Sequence, residues 1–321
     1  MGMGSGIIGA ALLVAGPTCS GKSALALALA ERLGGAIINA DAMQCYRELR
    51  VITARPSPQD EARAPHALYG VLPAAEAGSA AWWRGQALEA MAQAQAQGRV
   101  PILCGGTGLY FLSLTEGLSA IPDPGEAARA AARLLLAELG PQALHRKLAA
   151  YDPETASRLN PADGQRIARA WEVWAGTGRP LAEWQRGKGP KAPWRFSAIH
   201  LDPPREALRE AIASRFTQML AQGAIEEVRA VLGHDPALPA MRAHGVPELA
   251  AYLRGEITLP EAARRAELAT GQYTKRQATW FRHHKLAEPA ATHTIHARYA
   301  HPTQFSESFT AQIIHFLQMP G

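Results

Sequence analysis

The run Ile7-Ile8-Gly9-Ala10-Ala11-Leu12-Leu13-Val14-Ala15 passes directly into Gly16-Pro17-Thr18-Cys19-Ser20-Gly21-Lys22-Ser23 and then into Ala24-Leu25-Ala26-Leu27-Ala28-Leu29. The apolar run is too short to cross a bilayer and has no basic flank at its start, so it reads as a buried strand rather than an anchor or a signal peptide. The segment after it matches G-x-x-x-x-G-K-[ST]. Glycines let backbone N–H groups converge on phosphate oxygens, Lys22 adds a point charge, and the Ser23 hydroxyl suits Mg²⁺. Leu25, Leu29 and Leu33 recur at four-residue spacing, which gives a helix from Lys22 to Leu33 one apolar face and points its positive end at the anion. Strand, loop and helix in this order predict a phosphate cradle. They leave open whether the ligand is a nucleotide or another diphosphate.

Downstream the alternation continues. Ala36 to Asn39 reads as a second strand with Asp41 just beyond it, a helix spans about Trp82 to Gln97, and Val100 to Cys104 reads as a third strand. Pro101 is acceptable there only near a strand start or an edge. Strands separated by helices predict an α/β fold, a P-loop NTPase-like parallel sheet flanked by helices with ligands at its carboxyl edge. From about Asp123 to Gly189 the pattern turns helical, punctuated by Gly140-Pro141, Asn160-Pro161 and Gly178-Arg179-Pro180. This reads as an inserted helical subdomain, residues 123–189, within a core of residues 1–122 and 190–288. Phe196 to Leu201 returns as a strand, helices run to about His284, and residues 289–321 read as an uninformative tail.

The 321 residues are 47% hydrophobic and 19% charged, enough for a sizeable core and too little charge for wholesale disorder. Ala-rich runs such as Ala87 to Ala96 favour helix. The formal charge of +5 is compatible with a polyanionic partner without requiring one. Cys19, Cys45 and Cys104 have no metal-ligand spacing and are odd in number, which argues against a zinc site or a disulfide framework and fits a cytoplasmic protein. Asp41 at a strand end facing the loop could take a proton or help hold Mg²⁺ through water; a loop Asp or a helix N-cap would look the same.

Read together, Gly16 to Ser23, Asp41-Ala42-Met43-Gln44-Cys45-Tyr46-Arg47 and Gly105-Gly106-Thr107-Gly108-Leu109-Tyr110 resemble the tRNA dimethylallyltransferases, also called tRNA isopentenyltransferases. The resemblance continues through Asp163 to Ala170, Thr177 to Pro180, Arg215 to Leu220, Pro239 to Arg242 and Lys275 to Arg282, so it covers about Leu13 to Arg282. It implies that the cradle Gly16, Pro17, Thr18, Cys19, Ser20, Gly21, Lys22 and Ser23 holds dimethylallyl diphosphate with Mg²⁺. It also implies that N6 of the adenine 3′ to the tRNA anticodon attacks the allylic carbon. Asp41 matches the general base, Thr107 a contact to the target nucleotide, and Arg215 a cation near the diphosphate, with Lys22 opposing the developing charge. The tRNA-binding set implied is Asp41, Ala42, Met43, Gln44, Thr107, Arg129, Gln165, Arg166, Ile167, Ala168, Arg169, Arg242, Lys275 and Arg276.

Arg166 and Arg169 share a helix face suited to phosphates. Arg264 to Lys285 carries six Lys or Arg and one acid, interleaved with Gln272, Tyr273, Gln277 and Trp280, a composition suited to an RNA loop. In both stretches a solvated or amphipathic helix has the same pattern. Trp171 and Trp174 read as core. The chain departs from the family pattern at Ala42 (Ser is usual), at Val51 to Pro56, at Pro65 to Leu68, at Gly245-Val246 and at Gly271, where Arg is usual. The expected partners are the tRNA anticodon stem-loop and the prenyl diphosphate, with no membrane and a monomeric protein. Two other classes share these residues: a P-loop kinase binding ATP and phosphorylating a small metabolite, and a tRNA-binding relic without activity.

Overall fold

A computed structural model of the chain describes residues 9–299 together with Ala311 and His315. Ile7 and Ile8 of the first strand, and most of the tail, lie outside the described residues. The elements in chain order are β1 (Gly9–Ala15), α1 (Lys22–Leu33), β2 (Gly35–Asn39), α2 (Pro58–Arg63), β3 (His66–Ala67), α3 (Ala80–Ala96), β4 (Val100–Gly105) and α4 (Gly108–Thr115). Four helices follow, α5 (Glu126–Ala149), α6 (Pro153–Arg158), α7 (Gly164–Thr177) and α8 (Leu181–Gln185). The chain then forms β5 (Trp194–Leu201), α9 (Arg205–Ala221), α10 (Ala224–Val231), α11 (Val246–Leu253), α12 (Leu259–His283) and β6 (Thr292–Ile295).

The six strands form one parallel sheet in the order β3-β2-β4-β1-β5-β6. Leu12 and Val14 point to one face, where Leu25 and Leu29 of α1 cover them with Ile37, Ile102 and Ile199. Leu13 joins Ile38, Leu103, Trp83 and Phe111 on the other face. Both faces are buried, which is why β1 reads as a continuous apolar run. Pro101 sits in a central strand, as the second residue of β4. Of the two places allowed to it, the strand start is the one observed.

Because every strand is parallel, the turns after β1, β2, β4 and β5 emerge on a single edge. β4 lies between β2 and β1, so residues 105–107 sit between Asp41 and the phosphate loop. A Cβ on Gly105 would lie 2.0 Å from the Ala40 carbonyl carbon, so only glycine lets the β2 and β4 turns approach this closely.

The chain forms two compact units, residues 1–115 with 192–321 and residues 116–191. The second carries α5 to α8 and has its own core around Leu144, Leu148, Ile167, Ala170 and Val173. Its α5 breaks at Gly140, whose φ of 73° and ψ of 167° are not helical, ahead of Pro141. Asp152, 1% exposed, caps α6 by accepting the Thr155 N–H at 3.0 Å and also accepts the Ala182 N–H at 3.3 Å, tying α6 to α8. Trp171 and Trp174 pack in this core with Tyr151 against them.

The tail, from which the sequence gives no reading, contributes a strand. Residues 292–295 form the edge strand β6, paired parallel with β5 from Ala198↔Thr292 to Leu201↔Ile295. Thr-His-Thr-Ile is a half-polar strand of four residues, too short to show a period against its surroundings.

Candidate active site

The phosphate loop closes through Ser20 N–H donating to Pro17 O at 3.2 Å, and the backbone passes through left-handed Cys19 (φ 65°) and Gly21 (φ 89°). Lys22 is 8% exposed and donates its Nζ to Pro17 O at 3.3 Å. Burial lowers its pKa below 10.5; the Asp41 charge opposes the shift and Arg215 adds to it. An ammonium held this way is under-compensated and favours an arriving anion. The Ser20 hydroxyl is buried in the same turn with no partner among the described residues.

Asp41 is held by its neighbours on three sides. Asn39 Oδ1 accepts the Asp41 N–H at 2.8 Å, while Asn39 Nδ2 donates to Asp41 O at 2.9 Å and to Leu68 O at 3.0 Å. Trp83 Nε1 donates to Asn39 O at 2.8 Å from the core side. Thr107 Oγ1 accepts the Ala42 N–H at 2.9 Å, fixing the next peptide. Asp41 Oδ1 accepts the Met43 N–H at 3.1 Å. Its Oδ2 has no hydrogen-bond partner among the described residues.

Asp41 and Lys22 line one narrow cleft of about 90 Å³, together with Ser23, Met43, Arg215 and Tyr273. Arg215, on α9, donates Nη2 to Thr53 O at 3.2 Å and also borders an adjoining 560 Å³ cavity on the outer side of Lys22 and Ser23. Ser23 opens to both spaces. Its hydroxyl and the Asp41 carboxylate are hard oxygens that fit Mg²⁺. No group of three or more His, Cys, Asp or Glu side chains gathers in metal-holding geometry among the described residues. An ion here would therefore take most of its ligands from the diphosphate and water.

Several residues in or behind the cleft have no motif that announces them. Asn39 orients Asp41. Glu227 on α10 accepts the N–H groups of Arg50, Val51 and Ile52 at 2.6, 2.7 and 2.8 Å, shaping the turn that presents Thr53. His244 lies in the cleft with its ring 4.8 Å from Tyr273. Burial lowers the His244 pKa and raises that of Tyr273, so both are neutral near pH 7. Burial also pushes the Cys45 and Cys104 thiols up to about 12, which makes neither a nucleophile. His244 has no periodic or spacing signal; only the fold brings it to Asp41.

The residues expected to meet RNA divide. Met43 borders the cleft, and Ala42 meets Thr107 through its backbone. Gln44 is 8% exposed and its Nε2 is occupied by Thr53 O and Ala54 O, both at 2.9 Å, so it braces the turn. Ile167 is fully buried in the helical unit's core, because α7 turns that face inward; its side chain has no surface to offer RNA. Gln165, Arg166 and Arg169 lie exposed on the same helix, and Ala168 is half-buried. Arg166 pairs with Asp163 at 3.4 Å, Arg169 with Glu172 at 2.5 Å, and Arg129 with Asp123. In the larger unit Arg242, Lys275 and Arg276 are exposed, with the Arg276 guanidinium 5.6 Å from the Tyr273 ring. Gln277, by contrast, is buried against the phosphate loop. Among the described residues no helix is long and apolar enough to cross a membrane.

The family model described as IPP transferase matches residues 44–284, and one described as isopentenyl transferase matches residues 9–66. A tRNA dimethylallyltransferase of Granulibacter bethesdensis is 61% identical over 96% of this chain and 98% of its own length. That of Gluconobacter oxydans is 60% identical over 96% and 93%. Among solved structures, a full-length tRNA isopentenylpyrophosphate transferase from Bacillus halodurans superposes with a TM-score of 0.68 at 28% identity, covering 96% of this chain and 97% of that one. A Staphylococcus epidermidis counterpart gives 0.65 at 29% identity, covering 96% and 99%.

Proposed function

The chain belongs to the IPP transferase family of tRNA dimethylallyltransferases, and from that premise we propose that Asp41, Lys22, Ser23, Thr107 and Arg215 carry the transfer. The protein is a prenyltransferase acting on tRNA, and the small-metabolite kinase reading of the same loop gives way. The donor is dimethylallyl diphosphate and the acceptor N6 of the adenine 3′ to the anticodon. That base has to leave its stack to reach a recessed cleft.

The observation that carries this reading is the division of labour on the Asp41 carboxylate. Oδ1 is fixed by the Met43 N–H, Oδ2 has no protein partner among the described residues, and Lys22 shares the cleft. An exocyclic purine amine is a weak nucleophile, so a fixed base that takes its proton as the C–N bond forms lowers the barrier. As the allylic C–O bond breaks, charge collects on the departing diphosphate, where Lys22, Arg215 and the loop N–H groups oppose it. Mg²⁺, held through Ser23 and the Asp41 side of the cleft, would neutralise the same oxygens when bound. Thr107, bonded to the Ala42 peptide, keeps the Asp41 turn in register and borders the approach of the base.

The test is direct. The protein is incubated with unmodified tRNA, dimethylallyl diphosphate and Mg²⁺, and nucleosides from the digested tRNA are analysed by mass spectrometry. Isopentenyladenosine is the expected product; unmodified tRNA together with ATP turnover on a small acceptor would overturn the reading.

A further inference from the structure

Beyond β6 the chain turns back onto the phosphate loop. Arg298 Nε donates to Cys19 O at 2.9 Å, and the Tyr299 N–H donates to Ser20 O at 2.9 Å. The Tyr299 side chain is 4% exposed and packs in the core beneath α1. Contact is close enough that a Cβ on Gly21 would lie 2.0 Å from Tyr299 O. The other end of the segment is fastened to the sheet, where Leu201 pairs with Ile295 and the Asp202 N–H donates to Ile295 O at 2.8 Å. Residues 296–299 therefore form a short strap between the edge of the sheet and the loop.

Peptide planarity gives these bonds a consequence. In a trans peptide the C=O and the following N–H point in opposite directions. Holding Ser20 O toward the strap therefore aims the Gly21 N–H away from it, toward the interior of the loop. Holding Cys19 O does the same for the Ser20 N–H, which closes the turn on Pro17 O. The strap thus fixes the peptides on both sides of Ser20, just past the left-handed Cys19, where an unsupported backbone has least reason to stay. Arg298 also borders the 560 Å³ cavity that Lys22, Ser23 and Arg215 line.

We propose that residues 296–299 are a strap that presets the phosphate loop for its ligand, with Arg298 the positioning residue for diphosphate binding. The identity of the donor rests on the prenyl-transfer reading; the strap's action on the loop does not. Arg298 is exposed and outside the core, so replacing it leaves the fold in place.

The experiment uses full-length Arg298→Met and Arg298→Lys beside the wild type. It measures inorganic diphosphate affinity by calorimetry, KM for dimethylallyl diphosphate, the single-turnover rate at saturating donor, tRNA affinity and the melting temperature. Arg298→Met should weaken inorganic diphosphate and raise the donor KM by ~10-fold, the scale of one lost charge-assisted hydrogen bond. Bound-state rate, tRNA affinity and melting temperature should stay close to wild type, and Arg298→Lys, which can still donate to Cys19 O, should recover most of the loss. Unchanged diphosphate affinity in Arg298→Met overturns the strap. So does a parallel loss of diphosphate and tRNA affinity with a lowered melting temperature. If the wild type transfers no prenyl group while Arg298→Met still loses diphosphate, the strap stands and the prenyl-transfer reading fails.

Discussion

Gln277 Oε1 accepts the Thr18 backbone N–H at 2.8 Å, joining the middle of α12 to the phosphate loop. The same oxygen accepts the Thr18 hydroxyl at 3.2 Å, and Nε2 donates to Gly106 O at 2.9 Å. One buried amide therefore ties the loop after β1 to the loop after β4. The helix whose outer face carries Lys275 and Arg276 has an inner face that braces the loop after β1.

Gln277→Leu should cost stability and donor binding together. It strands the Thr18 N–H and Gly106 O in a buried setting, at ~1–3 kcal/mol for each unsatisfied group. Denaturant midpoints and the donor KM check this. A variant as stable as wild type with an unchanged KM would make the bridge incidental.

Lys22→Ala should slow transfer ~10²-fold, the loss of about 3 kcal/mol from a donor aimed at developing charge. It should also leave the ligand-free protein no less stable, because folding no longer has to desolvate an ammonium. Single-turnover rates at saturating donor and thermal melts without ligand separate the two effects. Near-normal turnover would remove Lys22 from the chemistry.

How much of this was legible beforehand follows from how local each signal is. The phosphate loop and its flanks are encoded within residues 9–33 by an apolar strand, fixed glycines and a four-residue leucine spacing, so they could be read directly. The position of Asp41 needed only the rule that parallel strands end on one edge. Gln277 was legible only as part of a basic, aromatic helix, because its role depends on which face α12 turns inward. The strap was not legible at all. Arg298 and Tyr299 act through one side-chain bond and one backbone N–H, and they reach the loop only because β6 adds to the sheet. Asn39 and Glu227 escaped for the same reason, since both hold main-chain atoms of segments far away or around a turn.

Replacing Arg166 and Arg169 with Gln should weaken tRNA binding and flatten its salt dependence, each lost phosphate contact removing somewhat under one unit of slope. Both side chains are exposed, and their ion pairs with Asp163 and Glu172 are exchangeable surface pairs. Filter binding from low to moderate salt measures the slope. An unchanged slope would leave them as solvated charges.

Stability should fall as the pH drops below about 6.5. Burial is the main cause lowering the His200 and His244 pKa values from 6.5, against the opposing charges of Asp202 and Glu248 respectively. Between the unfolded and the folded pKa, the unfolded chain binds protons that the fold refuses, so acid favours unfolding, by at most ~1.4 kcal/mol per pH unit for each group. Denaturation at pH 7 and pH 5 should show the loss, and His200→Gln or His244→Gln should reduce it. An equal loss in both variants would assign the acid sensitivity to carboxylates.

Asp41→Asn should abolish most prenyl transfer while both substrates still bind. The amide keeps the size of the side chain, and its oxygen can still accept the Met43 N–H that holds Oδ1. The bonds from Asn39 to the Asp41 backbone and from the Ala42 N–H to Thr107 do not involve the carboxylate, so the turn should keep its shape. What disappears is the capacity of the second oxygen to take the N6 proton. A general base of this kind contributes ~10²–10⁴-fold, and the deficit should appear in the single-turnover rate with enzyme in excess over tRNA, not in dissociation constants. Raising the pH should not restore it, because an amide has no ionisation to recover. If the variant instead loses Mg²⁺ or tRNA affinity at an unchanged bound-state rate, Asp41 is a ligand-binding residue and the base lies elsewhere. A folded variant with wild-type transfer would remove Asp41 from both roles.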